Sequence, residues 1–248
     1  MPFTVSHAAA VLPFLRTPLP AAALVVGSMA PDLPYFLPLG IPRTFSHSWL
    51  GLVTIDLVIG LIVVFAWWLL LRAPVLDYAP GWLRDRMPER QTGGVVWVPI
   101  GLVVGGATHL LLDTVTHEGS LDTVIPVMAE RLGLGLSVSN LVHVIVSIVG
   151  AAILAWWVRR WVARTPRHHT RTLIEENERV ITWIGLGTVF GFVAVGVWLY
   201  GMSLGSVWYE QHLLFVAFCW GVIAAGAISA VLAIVWHVRT RQRSAVHR

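Results

Sequence analysis

The sequence predicts an all-α fold: a polytopic transmembrane helix bundle of about five spans, preceded by an N-terminal re-entrant or interfacial helical hairpin. Three observations predict it: an apolar composition, five apolar runs of bilayer length, and arginine gathered in alternate connecting segments. Only 12% of the 248 residues are charged, while 56% are hydrophobic, and the mean hydropathy is +0.75. A soluble domain carries roughly 25% charged residues. Lipid is therefore the expected solvent for most of the surface, and backbone polar groups must pair within helices.

The hairpin comes first. Two short helices are expected over 6–16 and 21–29, separated by Pro18 and Pro20 and followed by a proline-rich stretch at 31–42. Proline forbids one continuous helix there. Asp32, between Pro31 and Pro34, is expected in a loop. The five spans follow at 49–71, 95–116, 136–158, 180–200 and 213–235, each meeting the need for about 20 apolar residues. Thr44 or Ser48 is expected to cap the first. The chain reads as a single membrane-embedded domain over 1–248, with a basic loop at 159–179 and a basic tail at 239–248. That loop divides a part rich in polar residues from a plainer C-terminal helix pair.

Every basic residue among the 17 Lys+Arg is arginine. Segments 72–94, 159–179 and 239–248 hold four, six and four of them, whereas 117–135 holds only Arg131 and 201–212 none. Arginine excess marks cytoplasmic loops. The expected location is a bacterial plasma (inner) membrane, multi-pass, with the C-terminus cytoplasmic and the segments around His47 and His117 outside. Tryptophans at predicted span ends, such as Trp49, Trp156, Trp157 and Trp198, suit the headgroup level. A formal charge of +4 and a pI near 10.0 do not indicate nucleic acid, because the arginines flank apolar runs. No charged segment precedes an apolar run at the N-terminus, where Arg16 is the first basic residue, so insertion is expected to rest on internal helices. The single cysteine, Cys219, excludes a disulfide and a thiolate cluster.

The densest polar constellation is His109-Leu-Leu-Leu-Asp113-Thr-Val-Thr-His117. A spacing of four residues advances about 40° around a helix, so the three side chains share one stripe. Imidazole and carboxylate are the usual ligands of zinc and similar ions, and burying them in lipid costs about 2.5–3.5 kcal/mol for an aspartate. His109 and His117 stand about 12 Å apart along a straight helix. Either the helix ends near Thr114 and His117 folds back, or two ions share Asp113. Asp56 and His143 are expected at the same depth as His109, roughly 10–12 Å below the outer surface. Asp56 reads as a supporting or packing group. His7, Asp32 and His47 reach the same side through the hairpin. Glu118, after His117, is a candidate general base on a metal-bound water. His168, His169, His212 and His237 read as solvated or interfacial residues.

Four motifs in order, Met-Pro-Phe-Thr-Val-Ser-His7, Gly27-Ser-Met-Ala-Pro-Asp32, Thr44-Phe-Ser-His47-Ser-Trp and the His109–His117 stripe, resemble the bacterial membrane family catalogued as domain of unknown function 4184. The resemblance covers nearly the whole chain. More distantly, the Pro-Asp, Thr-x-Ser-His and His-x3-Asp-x3-His patterns are similar to membrane-bound metal-dependent hydrolases and to zinc-dependent phospholipase C, although no N-terminal Trp ligand of the phospholipase type is present. The resemblance implies metal ligation for His7, Asp32, His47, His109, Asp113 and His117.

The expected function is a membrane-embedded, divalent-metal-dependent hydrolase of an ester or phosphoester, a lipid or extracytoplasmic small molecule, using one or two ions, zinc being the expected metal. His109, Asp113, His117 and His47 are the expected first ligands, with His7, Asp32 and His143 completing the set or serving a second ion; Asp113 and Glu118 are the expected catalytic groups. A metal-ion or proton-coupled transporter is the alternative, but residues 58–71 and 150–157 carry no ionisable group to continue a pathway. A haem carrier with His109 and His143 as axial ligands leaves the carboxylates without a role. A non-enzymatic membrane protein is the remaining class. Oligomeric state is left open.

Overall fold

Among the described residues, five helices are long and apolar enough to cross a membrane: Trp49–Tyr78, Val95–Thr116, Val138–Arg164, Glu176–Ser203 and Leu213–Arg243. The computed structural model describes residues 4–37, 39–88, 93–116, 125–133, 136–168, 172–204 and 210–246. The fold class is all-α, and the protein is a multi-pass membrane protein. The pairing of Arg131–Gly133 with Leu136–Ser137 is antiparallel and too short to make a layer.

The expected spans are present, but they extend past several expected ends. The first runs to Tyr78 rather than 71, and the helix Glu210–Val246 continues through most of the basic tail. Arg159, Arg160 and Arg164 end the third span instead of lying in a loop. Arginine is a strong helix former whose long stem reaches water from an apolar helix end, so it does not stop a helix. Arg160 lies over the Trp156 ring, 5.3 Å from its centroid.

Contacts group the residues into two compact units. One comprises 1–34, 39–65 and 88–166; the other comprises 35–38, 66–87 and 167–248. In the first unit the N-terminal hairpin packs on the second and third spans. Its first arm, expected as a short helix over 6–16, is the 3-10 helix Thr4–Arg16. Its second arm is the α-helix Ala21–Gly27. Gly101 and Gly105 on the second span provide the seat for that arm, for a Cβ on Gly105 would meet the Leu24 carbonyl and one on Gly101 would lie 2.9 Å from Ala23 Cβ. Small residues four apart allow helices to approach this closely. Ala23 and Leu24 are consequently fully buried. Gly105→Ala is expected to lower stability by about 1–3 kcal/mol through overpacking, read as an earlier thermal unfolding transition in detergent.

Asp32 departs from expectation. It sits within the 3-10 turn Ala30–Tyr35, its N–H donating to the Met29 carbonyl at 3.1 Å. A proline near the start of a short helix loses no bond it would otherwise make, so Pro31 does not force a loop. Ser48 caps the first span as expected, its Oγ accepting from Gly51 N at 2.9 Å. That span opens with a π-helical turn, Leu52–Asp56. Such turns widen the helix and re-aim the residues they contain.

In the second unit the fourth span packs on Glu210–Val246. Asp77 holds it together. Its carboxylate accepts from the Thr172 hydroxyl, from Leu173 N at 3.2 Å and from Trp236 Nε1 at 2.7 Å.

Candidate metal centre

Five of the expected ligands converge in the first unit. His109 and Asp113 lie one turn apart on the second span, His7 comes from the 3-10 helix of the hairpin, Asp32 from the turn after it, and His47 from the end of Arg43–Ser46. Two sets of three have ligand atoms within 4.8 Å of one another: His7, His109 and Asp113, and Asp32, His47 and His109. His7, Asp32, His109 and Asp113 are all less than 9% exposed.

The distances suit a common ion. His47 Nε2 is 3.3 Å from Asp32 Oδ1 and 3.5 Å from Asp113 Oδ2. His109 Nε2 is 3.8 Å from Asp32 Oδ1 and 3.7 Å from Asp113 Oδ2. His7 Nε2 is 3.8 Å from Asp113 Oδ1. Ligands about 2.0–2.2 Å from a tetrahedral ion stand roughly 3.3–3.6 Å from each other.

Tautomers point the same way. His109 Nδ1 lies 2.9 Å from the Ser28 carbonyl, which only accepts, so Nδ1 carries the proton. In the neutral ring Nε2 is then a lone-pair donor. That atom is buried and has no hydrogen-bond partner among the described residues. Fixing an imidazole through its far nitrogen is the usual arrangement around metal-binding histidines. His47 places Nδ1 3.0 Å from Ser46 Oγ, which can donate or accept, and Nε2 toward the carboxylates.

Residues 1–238 match the family model described as a domain of unknown function (DUF4184). The chain belongs to that family. No curated protein and no solved structure matches it.

Not every expected ligand of this DUF4184 protein lies in the two sets. His143 is buried on the third span but belongs to neither. His117 and Glu118 lie outside the described residues. The second span is helical to Thr116, the last described residue before His117. His109 is common to both sets, but its one available nitrogen serves only one ion. A pair of ions would have to share Asp113 instead, whose Oδ1 faces His7 and Oδ2 faces His47. His168 and His237 belong to the other unit, where His237 Nε2 lies 2.9 Å from the Leu70 carbonyl.

Two residues stand out beyond the expected ligands. Arg43 Nη2 is 3.3 Å from Asp113 Oδ2, and its side chain is 41% exposed. Its signal in the sequence was an arginine just before the Thr-Phe-Ser-His47 motif, away from the three arginine-rich segments. Asp56 is 1% exposed, lies in the electrostatic field of His109 and Asp32, and has neither carboxylate oxygen hydrogen-bonded among the described residues. The buried carboxylates of Asp32 and Asp113 and the three histidines form a donor set that fits a divalent cation, since carboxylate charge buried without compensation is costly.

Proposed function

We propose that this protein is a membrane-embedded, divalent-metal-dependent hydrolase of an ester or phosphoester, with zinc as the expected ion. We further propose that the site faces the extracytoplasmic side of a bacterial plasma membrane, the C-terminus being cytoplasmic, as the arginine distribution favours. The observation that carries the reading is His109. Its Nδ1 is committed to the Ser28 carbonyl, and its buried Nε2 is turned toward carboxylates from two distant parts of the chain.

His109, Asp113, His7, Asp32 and His47 would hold the ion, and His117 and His143 remain proposed ligands. A bound divalent ion supplies Lewis acidity, polarising the scissile group and making a water nucleophilic near neutral pH. The chain's own residues do the rest. Asp32 and Asp113 bring negative charge that offsets the cation. Arg43 fixes one oxygen of Asp113 and keeps guanidinium donors exposed toward an arriving ester oxyanion or phosphate. Glu118 is the proposed base, and Asp56, a buried carboxylate in the field of His109, is a further group able to accept a proton.

The test is metal removal. Purified protein is assayed against a chromogenic carboxylic ester and a chromogenic phosphodiester before and after chelation, with metal content followed by elemental analysis. Hydrolysis of one of them is expected to be lost on stripping and restored by zinc. Undiminished turnover by metal-free protein would dismiss the reading.

A further inference from the structure

We propose that an apolar slot beside His7 receives one acyl chain of a bilayer lipid, which makes the substrate a lipid ester. The slot has a volume of about 300 Å³ and lies between the 3-10 helix of the hairpin and the second and third spans, with His7, Ala10, Leu112, Val149, Gly150 and Ile153 among its walls.

Small residues create it. Ala9 and Ala10 on the hairpin leave room, and Gly150 brings the third span so near that a Cβ there would lie 2.9 Å from the Ser6 carbonyl. The rim is apolar and faces outward. Ile145, Val149 and Ile153 recur every four residues along one stripe of the third span, and they are 50%, 49% and 43% exposed. On a membrane-spanning helix such a stripe meets lipid tails, so the slot opens to the bilayer.

Its dimensions choose the occupant. From Ile145 to Ile153 the span rises roughly 12 Å. Dividing about 300 Å³ by that length leaves a mean cross-section of about 25 Å². A helix at least 10 Å across needs about 80 Å² and does not fit, whereas a single extended alkyl chain does. Water is a poor occupant of an apolar slot, whereas a lipid tail from the surrounding bilayer fills it with van der Waals contact. His7 belongs both to the slot wall and to a ligand set, so a chain in the slot leaves its ester group beside the candidate centre.

Which bond is cut rests on the proposed hydrolase; binding of the chain does not. The experiment uses full-length protein in nanodiscs of phosphatidylcholine bearing a diazirine on one acyl chain. After irradiation, labelled positions are mapped by mass spectrometry, and metal content is measured on the same samples. Label is expected at Ala9 and Ala10 as well as on outward positions such as Ile62. Ala10→Leu and Ala9→Leu are expected to reduce slot labelling to background while Ile62 labelling persists. Label confined to outward positions overturns the proposal, as does slot labelling that survives both substitutions. The wild-type map decides alone should either variant misfold. Slot labelling without metal keeps the acyl site and removes the hydrolase; metal without slot labelling does the reverse.

Discussion

Asp113→Ala is expected to lose its metal, falling from the wild-type stoichiometry to the background of the preparation. Asp113 approaches four charged or ligating side chains of the cluster. Its Oδ2 lies 3.3 Å from Arg43, 3.5 Å from His47 and 3.7 Å from His109, and its Oδ1 lies 3.8 Å from His7. Removing it deletes a ligand and a negative charge at once, and it leaves the Arg43 guanidinium beside the histidines with no counter-charge to hold it. Loss of a supporting group around a metal typically costs about 10–100-fold in affinity, so loss of a ligand should exceed that. Asp113→Asn, which keeps the shape but not the charge, should retain an intermediate amount. His109→Ala should match the alanine variant, since Nε2 is common to both ligand sets. Elemental analysis of monodisperse protein reads all three. Wild-type metal content in Asp113→Ala would move the centre elsewhere.

The second large effect concerns stability. Asp77→Ala is expected to lower the stability of the unit formed by 35–38, 66–87 and 167–248 by about 1.5–3 kcal/mol, the cost of removing a charged acceptor from a partly buried hydrogen-bond network. Asp77 is 7% exposed. Its carboxylate accepts from Thr172, Leu173 and Trp236, tying a turn and the last long helix to the end of the first span. Arg179 Nη2 adds contacts to the Ile174 carbonyl at 3.3 Å and the Thr172 hydroxyl at 3.4 Å. Alanine takes the carboxylate acceptor from the half-buried Trp236 indole and from the Leu173 amide at once. Asp77→Asn keeps one acceptor oxygen and should lose about half as much. Thermal unfolding in detergent, followed by the pooled fluorescence of the 13 tryptophans, reads the difference. An alanine variant that unfolds with the wild type would show that the network contributes little.

The candidate ligands were readable because their cost makes them conspicuous. A histidine or aspartate in an otherwise apolar run stands out whatever surrounds it, so His109 and Asp113 were singled out by spacing, and His7, Asp32 and His47 by short motifs. Their mutual placement was partly readable too, because a four-residue spacing puts two side chains on one helical face. Asp77 leaves no such signal, because it lies between Leu76 and Tyr78 within the arginine-rich segment 72–94, where a carboxylate is unremarkable. Arg43 was read only for topology. Asp56 was noticed for its depth, but a π-helical turn that changes its direction leaves no mark in the local pattern. Asp32 was assigned to a loop because proline counts against regular helices, yet a short 3-10 turn accommodates it.

By itself, the sequence determined the number of apolar helices and the identity of most ionisable groups buried among them. Those are properties of one segment at a time, set by transfer of side chains from water to lipid and by helical periodicity. Only the tertiary structure decided which groups meet. Ser28 and His109 are 81 residues apart, Arg43 and Asp113 are 70 apart, and Asp77 and Trp236 are 159 apart. Such pairings are fixed by how connections close and how small residues let helices approach, and no local pattern of hydropathy or charge encodes those distances.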